Sequence, residues 1–108
     1  MKYVRLKKNV DFQRLFKKGK KVYSKYLTLI YTPDREKTVM GIALSKKHGK
    51  AVKRNRIKRL IRAAFSNNFD KLGGSYSIVI LPRICPELSY SDVEKSLLTC
   101  FKTMDGAK

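Results

Sequence analysis

Acidic residues and the usual metal-binding side chains are scarce in this sequence. Its 108 residues include 8 Asp and Glu, one His and two Cys. Cys85 and Cys100 form no CxxC pair, and His48 alone cannot complete a zinc site with them. The carboxylates are scattered, and no Ser–His–Asp triad or phosphate-binding loop pattern is present. We therefore expect no catalytic residues, no protein-bound metal, and two reduced cysteines that act as small apolar residues.

The sequence also lacks a long apolar run and a signal peptide. No stretch reaches the roughly 18 apolar residues of a membrane-spanning helix. A hydrophobic fraction of 43% still suffices for one modest core, which argues against a disordered polycation. We therefore expect a single domain over residues 1–108, located in the cytoplasm and without a membrane partner.

Positive charge is in large excess and unevenly placed. The 26 Lys and Arg give a formal net charge of +18. Residues 1–25 hold ten basic residues and one acid, and no acid lies between Lys37 and Phe69. From Lys71 to the end, five basic residues meet four acids. Because such a surface is stabilised by a polyanion, we expect the first two thirds of the chain to bind nucleic acid, with the last third as scaffold.

The hydrophobic pattern predicts three helices. The first covers about 9–19, with its first residue as N-cap and its glycine as C-cap. The second covers about 52–67, where apolar residues recur at helical spacing. The third covers 91–104, where Ser91 and Glu94 would form a capping box.

Strands are expected at 26–31, 38–44 and 75–81, with a weaker one at 21–23. The element order is then αβββαβα. This order predicts an α+β fold, a small mixed or antiparallel four-stranded sheet packed with three helices. Alternation puts Tyr26, Thr28 and Ile30 on one face of their strand. The sequence leaves open which face is exposed.

The stretch 46–62 carries nine basic residues and no acid within 17 positions. On a helical wheel its apolar residues form a stripe, and polar and basic residues gather opposite or beside it. That outward set is Asn55, Arg56, Lys58, Arg59 and Arg62. Guanidinium groups suit phosphate, because they donate two parallel hydrogen bonds. A solvated helix face and a membrane-surface helix are the alternatives, but uncompensated like charges repel and favour an RNA-binding face.

Lys53 and Arg54 fall nearer the apolar side of the wheel. We therefore expect the regular helix to start near 53–55, with Gly49 easing the turn before it. Backbone amides at the start of this helix would form a phosphate-binding site.

Phe12 and Phe16 allow two interpretations. On an amphipathic helix they are core residues by default. They also stand beside Arg14, Lys17 and Lys18, and aromatic rings among cations hold single-stranded nucleic acid by stacking on bases and pairing with phosphates.

The basic stretch contains the longer motif Ser45-Lys46-Lys47, Gly49, Ala51-Val52 and Arg54-Asn55-Arg56-Ile57-Lys58-Arg59. A second set of residues, near the first predicted helix, is Leu6-Lys7-Lys8, Asp11-Phe12, Phe16 and Gly19. The two segments resemble the signature and the first helix of a known family, the bacterial ribonuclease P protein subunit. The element order agrees with the family through to the last helix, so the resemblance covers nearly the whole chain.

The resemblance implies a protein subunit of a tRNA-processing ribonucleoprotein. In that endoribonuclease, a large RNA with bound magnesium removes the 5′ leader from precursor tRNA, and the protein supplies no catalytic residues. The protein would bind the ribonuclease P RNA, as a monomer in a 1:1 complex, and the single-stranded leader of precursor tRNA. The family fold is of the ribosomal protein S5 domain 2 type, with a left-handed β-α-β crossover, against the usual rule.

Site residues follow from the motif match. The RNA-binding set is Lys46, Lys47, Lys53, Arg54, Asn55, Arg56, Lys58, Arg59 and Arg62. The leader-binding cleft is Phe12 and Phe16 by motif match, to which Tyr26 is added from the aromatic strand. Two positions depart from the family pattern: Ala63 stands where Glu is common, and Ile30 stands where the middle strand usually has an aromatic residue. A structural RNA-binding protein such as a ribosomal protein is the alternative. A self-sufficient nuclease would need an acidic cluster, and a DNA-binding helix would need helix-turn-helix spacing.

Overall fold

A computed structural model describes residues 3–6, 8–34, 36–84 and 87–106. Within these ranges the chain forms five strands, three α-helices and two 3-10 helices. The strands are β1 (Val4–Arg5), β2 (Lys20–Tyr23), β3 (Leu27–Pro33), β4 (Val39–Ile42) and β5 (Tyr76–Pro82). The helices are α1 (Asn9–Lys18), α2 (Ala51–Asn67) and α3 (Tyr90–Gly106), and the 3-10 helices are Lys46–His48 and Phe69–Lys71.

The strands form one mixed sheet in the order β1-β4-β5-β3-β2. β5 pairs antiparallel with β3 and parallel with β4, so α2 forms the crossover between two adjacent parallel strands. The predicted α+β class is confirmed, but the expected count of four strands was one short. The additional strand, β1, has two residues and pairs parallel with β4. A two-residue strand has no periodicity that a sequence pattern could reveal.

The sheet separates two apolar clusters. On one face, α2 and α3 cover the main core, where Leu27, Leu29 and Tyr31 of β3 are buried. On the other face, α1 covers a smaller cluster in which Leu15 packs on Ile30 and its neighbours. The centre of β3 is therefore covered on both faces. The aromatic-rich strand does not form a fully open RNA-binding surface.

Cys100 is buried in the main core as a free thiol, in agreement with its predicted apolar role. Burial raises the pKa of the Cys100 thiol. The prediction for Cys85 lies outside the described residues.

Helix α1 crosses the sheet in close contact with it. A Cβ atom added to Gly41 of β4 would lie 2.7 Å from Cζ of Phe12 and 2.9 Å from Cβ of Leu6. At the other end of α1, a Cβ on Gly19 would clash with Cγ2 of Ile30. Glycine at both positions therefore sets how closely α1 approaches the sheet.

Each predicted helix is present, but the starts differ from those expected. The first helical residue of α1 is Asn9, so its N-cap is Lys8 and not Asn9. Helix α2 begins at Ala51, so the start expected near 53–55 was wrong. Gly49, two residues before α2, has a φ of 112°. A residue with a side chain would be strained in this backbone conformation.

The capping box of α3 lies two residues earlier than predicted. Ser89 Oγ accepts a hydrogen bond from the Asp92 N–H at 3.2 Å, and Asp92 Oδ2 accepts one from the Ser89 N–H at 3.5 Å. Glu94 instead accepts hydrogen bonds from Asn68 and from the Tyr90 hydroxyl. Its carboxylate thus ties α3 to the end of α2.

We expect Asp34→Asn to destabilise the fold at neutral pH, and to do so less in acid. The carboxylate accepts hydrogen bonds from the N–H groups of Glu36 and Lys37 at 2.9 and 3.3 Å, and from Ser77 Oγ at 3.1 Å. The Glu36 bond, above all, lowers the pKa of Asp34 below its ordinary 3.8, against the opposing effect of desolvation. The resulting stabilisation is complete above the unfolded pKa and is lost as the pH falls through the lowered folded pKa. Urea unfolding of both proteins at neutral and acidic pH measures this difference. An equal difference at both pH values would show that the charge of Asp34 is not its cause.

We expect Gly41→Ala to destabilise the protein by about 1–3 kcal/mol, because the added methyl group overpacks Phe12 and Leu6. Gly106→Ala is the matched control, since a Cβ there meets no atom within 4 Å. Urea unfolding free energies measure both changes. If the two variants were equally stable, the close approach of α1 to β4 would not be a constraint.

Candidate nucleic-acid interface

Helix α2 is held against the protein by one apolar stripe. Ile57, Ile61, Ala64 and Phe65 are buried, whereas α2 contains no acidic residue. Phe65 makes edge contacts with three aromatic rings, with centroid distances of 4.8 Å to Tyr3, 5.6 Å to Phe101 and 5.9 Å to Phe69. The basic side chains of α2 are therefore presented from a rigid support.

The α1–α2 groove brings the aromatic and basic residues of the motif together. It has a volume of about 500 Å³ and lies between α1, the end of β4 and the start of α2. Its lining residues are Phe12, Gln13, Phe16, Ile42, Ala43, Leu44, Ala51, Arg54, Asn55 and Lys58. Rings on one wall thus face cationic and amide groups on the other.

Phe12 and Phe16 have different environments. Phe12 is half-buried and packs over Gly41, so it is part of the small core as well as of the groove. Phe16 has 43% of its surface exposed. The two interpretations open at the sequence level therefore divide between the two residues: Phe12 serves packing, and Phe16 offers a free ring.

Arg54 is half-buried in the wall of the groove. Its Nε atom is inaccessible to solvent and has no hydrogen-bond partner. A buried polar atom without a partner costs free energy. Packing therefore holds this guanidinium beside the groove, and no hydrogen bond from Nε to the protein contributes.

The basic surface also extends beyond the groove. Arg59 is exposed on α2, and Lys46 and Lys47 are exposed on the 3-10 helix before it. Lys58 and Arg62 are half-buried, and with Arg5 they line a smaller cavity of about 190 Å³. This cavity extends the basic surface toward β1.

Lys53 and Arg56 lie on the opposite side of α2 from the α1–α2 groove. They line a second cavity, the His48 pocket, with a volume of about 200 Å³. Its other lining residues are His48, Ile57, Leu60, Arg83, Glu87, Leu88 and Ser89. Lys53 falls near the apolar stripe on a helical wheel, and in the fold its side chain borders a pocket with an apolar floor.

Tyr26 does not join the two phenylalanines. It is half-buried just before β3 and is not among the residues lining the α1–α2 groove. Its N–H donates to Ser96 Oγ at 3.2 Å, and Lys25 Nζ lies 5.3 Å from its ring centroid. Its predicted place in a leader cleft stays a prediction that this geometry does not favour.

Two features were not found from the sequence. Tyr23 on the edge strand β2 is 63% exposed, and it pairs in register with Thr28, which pairs with Leu81. This row crosses the α1 side of the sheet toward Ala43 in the α1–α2 groove. Arg83, in the third of the chain predicted to be scaffold, borders the His48 pocket. Neither residue belongs to a motif, so only the fold relates them to the basic surface.

The described part of the chain contains no group of three or more His, Cys, Asp or Glu that could hold a metal ion. Among the same residues, no helix is both long and apolar enough to cross a membrane.

A family model for ribonuclease P matches residues 1–105. The chain is 40% identical over 102 residues to the ribonuclease P protein component of Bacillus cereus, covering 91% of this chain and 88% of the relative. It is 37% identical over 103 residues to that of Clostridioides difficile, covering 93% and 90%.

Solved structures agree in fold. The RNase P protein of Staphylococcus aureus superposes with a TM-score of 0.81 at 33% identity, covering 95% of this chain and 96% of that chain. The RNase P protein of Thermotoga maritima superposes with a TM-score of 0.82 at 28% identity, covering 92% and 96%. The chain therefore belongs to the ribonuclease P protein family, whose members are the protein components of ribonuclease P.

Proposed function

We propose that this chain binds the catalytic RNA of ribonuclease P and holds the single-stranded 5′ leader of precursor tRNA in the α1–α2 groove. The observation that carries the proposal is the placement of the exposed Phe16 ring opposite Arg54, Asn55 and Lys58. Single-stranded RNA is held by this combination, because bases stack on rings while cations pair with phosphates.

Within the groove, the residues would divide the work. Phe16 would stack on a leader base, and Phe12 would support it from the sheet. Arg54 and Lys58 would pair with the leader phosphates, and Asn55 could donate or accept a hydrogen bond at a base edge or a phosphate oxygen. A groove that binds bases by stacking would tolerate different leader sequences.

The surface outside the groove would dock the large RNA. Lys46, Lys47 and Arg59 are exposed and basic, and no carboxylate belongs to the helices that carry them. Docking there would release counterions from the RNA, which makes the affinity depend on salt. Lys53, Arg56 and Arg62 would extend this contact on both sides of α2.

The chemistry would belong to the RNA and its magnesium ions, with the protein as a 1:1 partner in the cytoplasm. The role of the protein is then to position the leader, which lowers the cost of bringing substrate and catalyst together. The direct test adds the protein to a ribonuclease P RNA and measures cleavage of precursor tRNA at near-physiological magnesium. We expect stimulation that depends on the leader. The alternative, a purely structural RNA-binding protein, predicts the same result for substrates with and without a leader.

We expect Phe16→Ala to weaken binding of leader-bearing precursor by about 1–3 kcal/mol, since one base loses its stacking partner. Binding of mature tRNA should not change. Val10→Ala is the control, because Val10 is 62% exposed on the same helix and does not line the groove. Affinities of the reconstituted complex for both tRNAs measure the effect. An equal loss with mature tRNA would place Phe16 outside the leader site.

We expect Arg59→Ala to weaken binding of the large RNA and to flatten its salt dependence by about one unit of log–log slope, if one phosphate contact is lost. Lys102→Ala, an exposed basic residue on α3, is the control and should leave the slope unchanged. Titrations at several salt concentrations measure the slope. A wild-type slope for Arg59→Ala would contradict phosphate contact at this position.

A further inference from the structure

The His48 pocket is the second cavity beside α2, and neither the motif nor the leader groove accounts for it. We propose that it receives one unstacked nucleotide of the large RNA, with the base on the apolar floor and the phosphate on the cationic rim. This inference rests on the proposed function, because it names a further contact with the same RNA.

The floor of the pocket suits a flat ring. Ile57 is 7% exposed, and Leu60 and Leu88 are half-buried, so the three side chains form an apolar base. The volume of about 200 Å³ is below the roughly 300–1,000 Å³ of pockets for drug-sized ligands. A single ring system is therefore a better match than an extended ligand.

His48 adds an aromatic wall in a fixed orientation. Its Nδ1 accepts a hydrogen bond from the Ser45 N–H at 3.1 Å, and its Nε2 lies 2.7 Å from the carbonyl oxygen of Pro82. Since Nδ1 is the acceptor, Nε2 carries the proton and donates it to Pro82. Both ring nitrogens are then engaged within the protein. What His48 offers to a ligand is ring carbon, which favours stacking over hydrogen bonding.

The rim carries positive charge from two parts of the chain. Lys53 and Arg56 come from α2 and Arg83 follows β5, against the single carboxylate of Glu87 among the described lining residues. The aliphatic part of Lys53 packs closely against Gly49. A Cβ atom added to Gly49 would lie 2.8 Å from Lys53 Cδ. The lysine stem is thus confined at the edge of the pocket. A charged rim around an apolar floor matches a nucleotide, which joins a phosphate to a flat base.

The position of the pocket favours the large RNA over the leader as the source of this nucleotide. The pocket shares no lining residue with the α1–α2 groove, and helix α2 stands between them. Two exposed basic residues of α2, Lys53 and Arg56, line the pocket, together with His48 of the preceding 3-10 helix. An RNA docked on this surface could turn one unpaired nucleotide inward, while a leader in the groove would follow the other side.

Two variants test the pocket without relying on the same change. Leu88→Trp fills it while keeping the charge, and Arg83→Ala removes one rim cation from an exposed position. Ile84→Ala is the matched control, because Ile84 is 57% exposed next to Arg83 and does not line the pocket. Affinity for ribonuclease P RNA is measured without substrate, and the affinity of the reconstituted complex for leader-bearing precursor is measured separately. Urea unfolding checks that each variant is folded.

We expect both pocket variants to bind the RNA about tenfold more weakly or worse, as for loss of one stacked base or one charged contact. Leu88→Trp should keep the wild-type salt slope, and Arg83→Ala should lower it by about one. Chemical probing of the RNA should show one unpaired base that wild type and Ile84→Ala protect and that Arg83→Ala leaves reactive. Because Arg83 is exposed, this variant remains informative even if Leu88→Trp does not fold.

Three outcomes would overturn the inference. The first is that Arg83→Ala and Leu88→Trp are both folded and both keep the wild-type affinity and base protection. The second is a loss that Ile84→Ala shows equally. The third is a loss seen only with leader-bearing precursor, which would assign the nucleotide to the leader. If the wild-type protein itself failed to bind the RNA, the proposed function would fail instead, so the two failures are distinguishable.

Discussion

The packing of Phe65 under helix α2 is the contact on which the basic surface depends. A helix with many like charges and no acid gains little from interactions along its own surface. Its position must come from the apolar stripe and from the three rings, Tyr3, Phe69 and Phe101, that surround Phe65. Each such aromatic pair contributes about 0.5–1.5 kcal/mol beyond its buried area. The core thereby opposes the electrostatic repulsion and keeps the cations at fixed positions for an RNA.

Helix α2, as the crossover helix, borders a cavity on each of two opposite sides. One side, with Arg54 and Lys58, faces the rings of α1 across the α1–α2 groove. The other side, with Lys53 and Arg56, faces the segment after β5 across the His48 pocket. One continuous run of basic residues along the sequence is thus divided among separate surfaces. In the proposed assembly, substrate and catalytic RNA would contact the same helix without competing for the same side chains.

Much of this fold could be predicted from the sequence, because strong periodicity specified the three helices and the central strands. The misses have local causes. The start of α3 depended on the bonds of Ser89 with Asp92, whereas Ser91 and Glu94 offered the same spacing two residues later. The site was predicted as a set of residues but not as surfaces. The split between Phe12 and Phe16 depends on Gly41, a distant strand residue, and the position of Arg83 at the His48 pocket depends on its nearness to α2 in the fold. Contacts of this kind leave no trace in a linear pattern.

Among the described residues β2 pairs with β3 alone, and its other edge has a consequence for the protein before it meets any RNA. An unpaired strand edge can add a strand from another molecule, and this is a common route to aggregation. β2 has only four residues, and its first two, Lys20 and Lys21, are exposed. A second copy aligned on this edge would bring lysines of both molecules together. The same excess of positive charge that favours a polyanion therefore also disfavours edge-to-edge pairing of two copies.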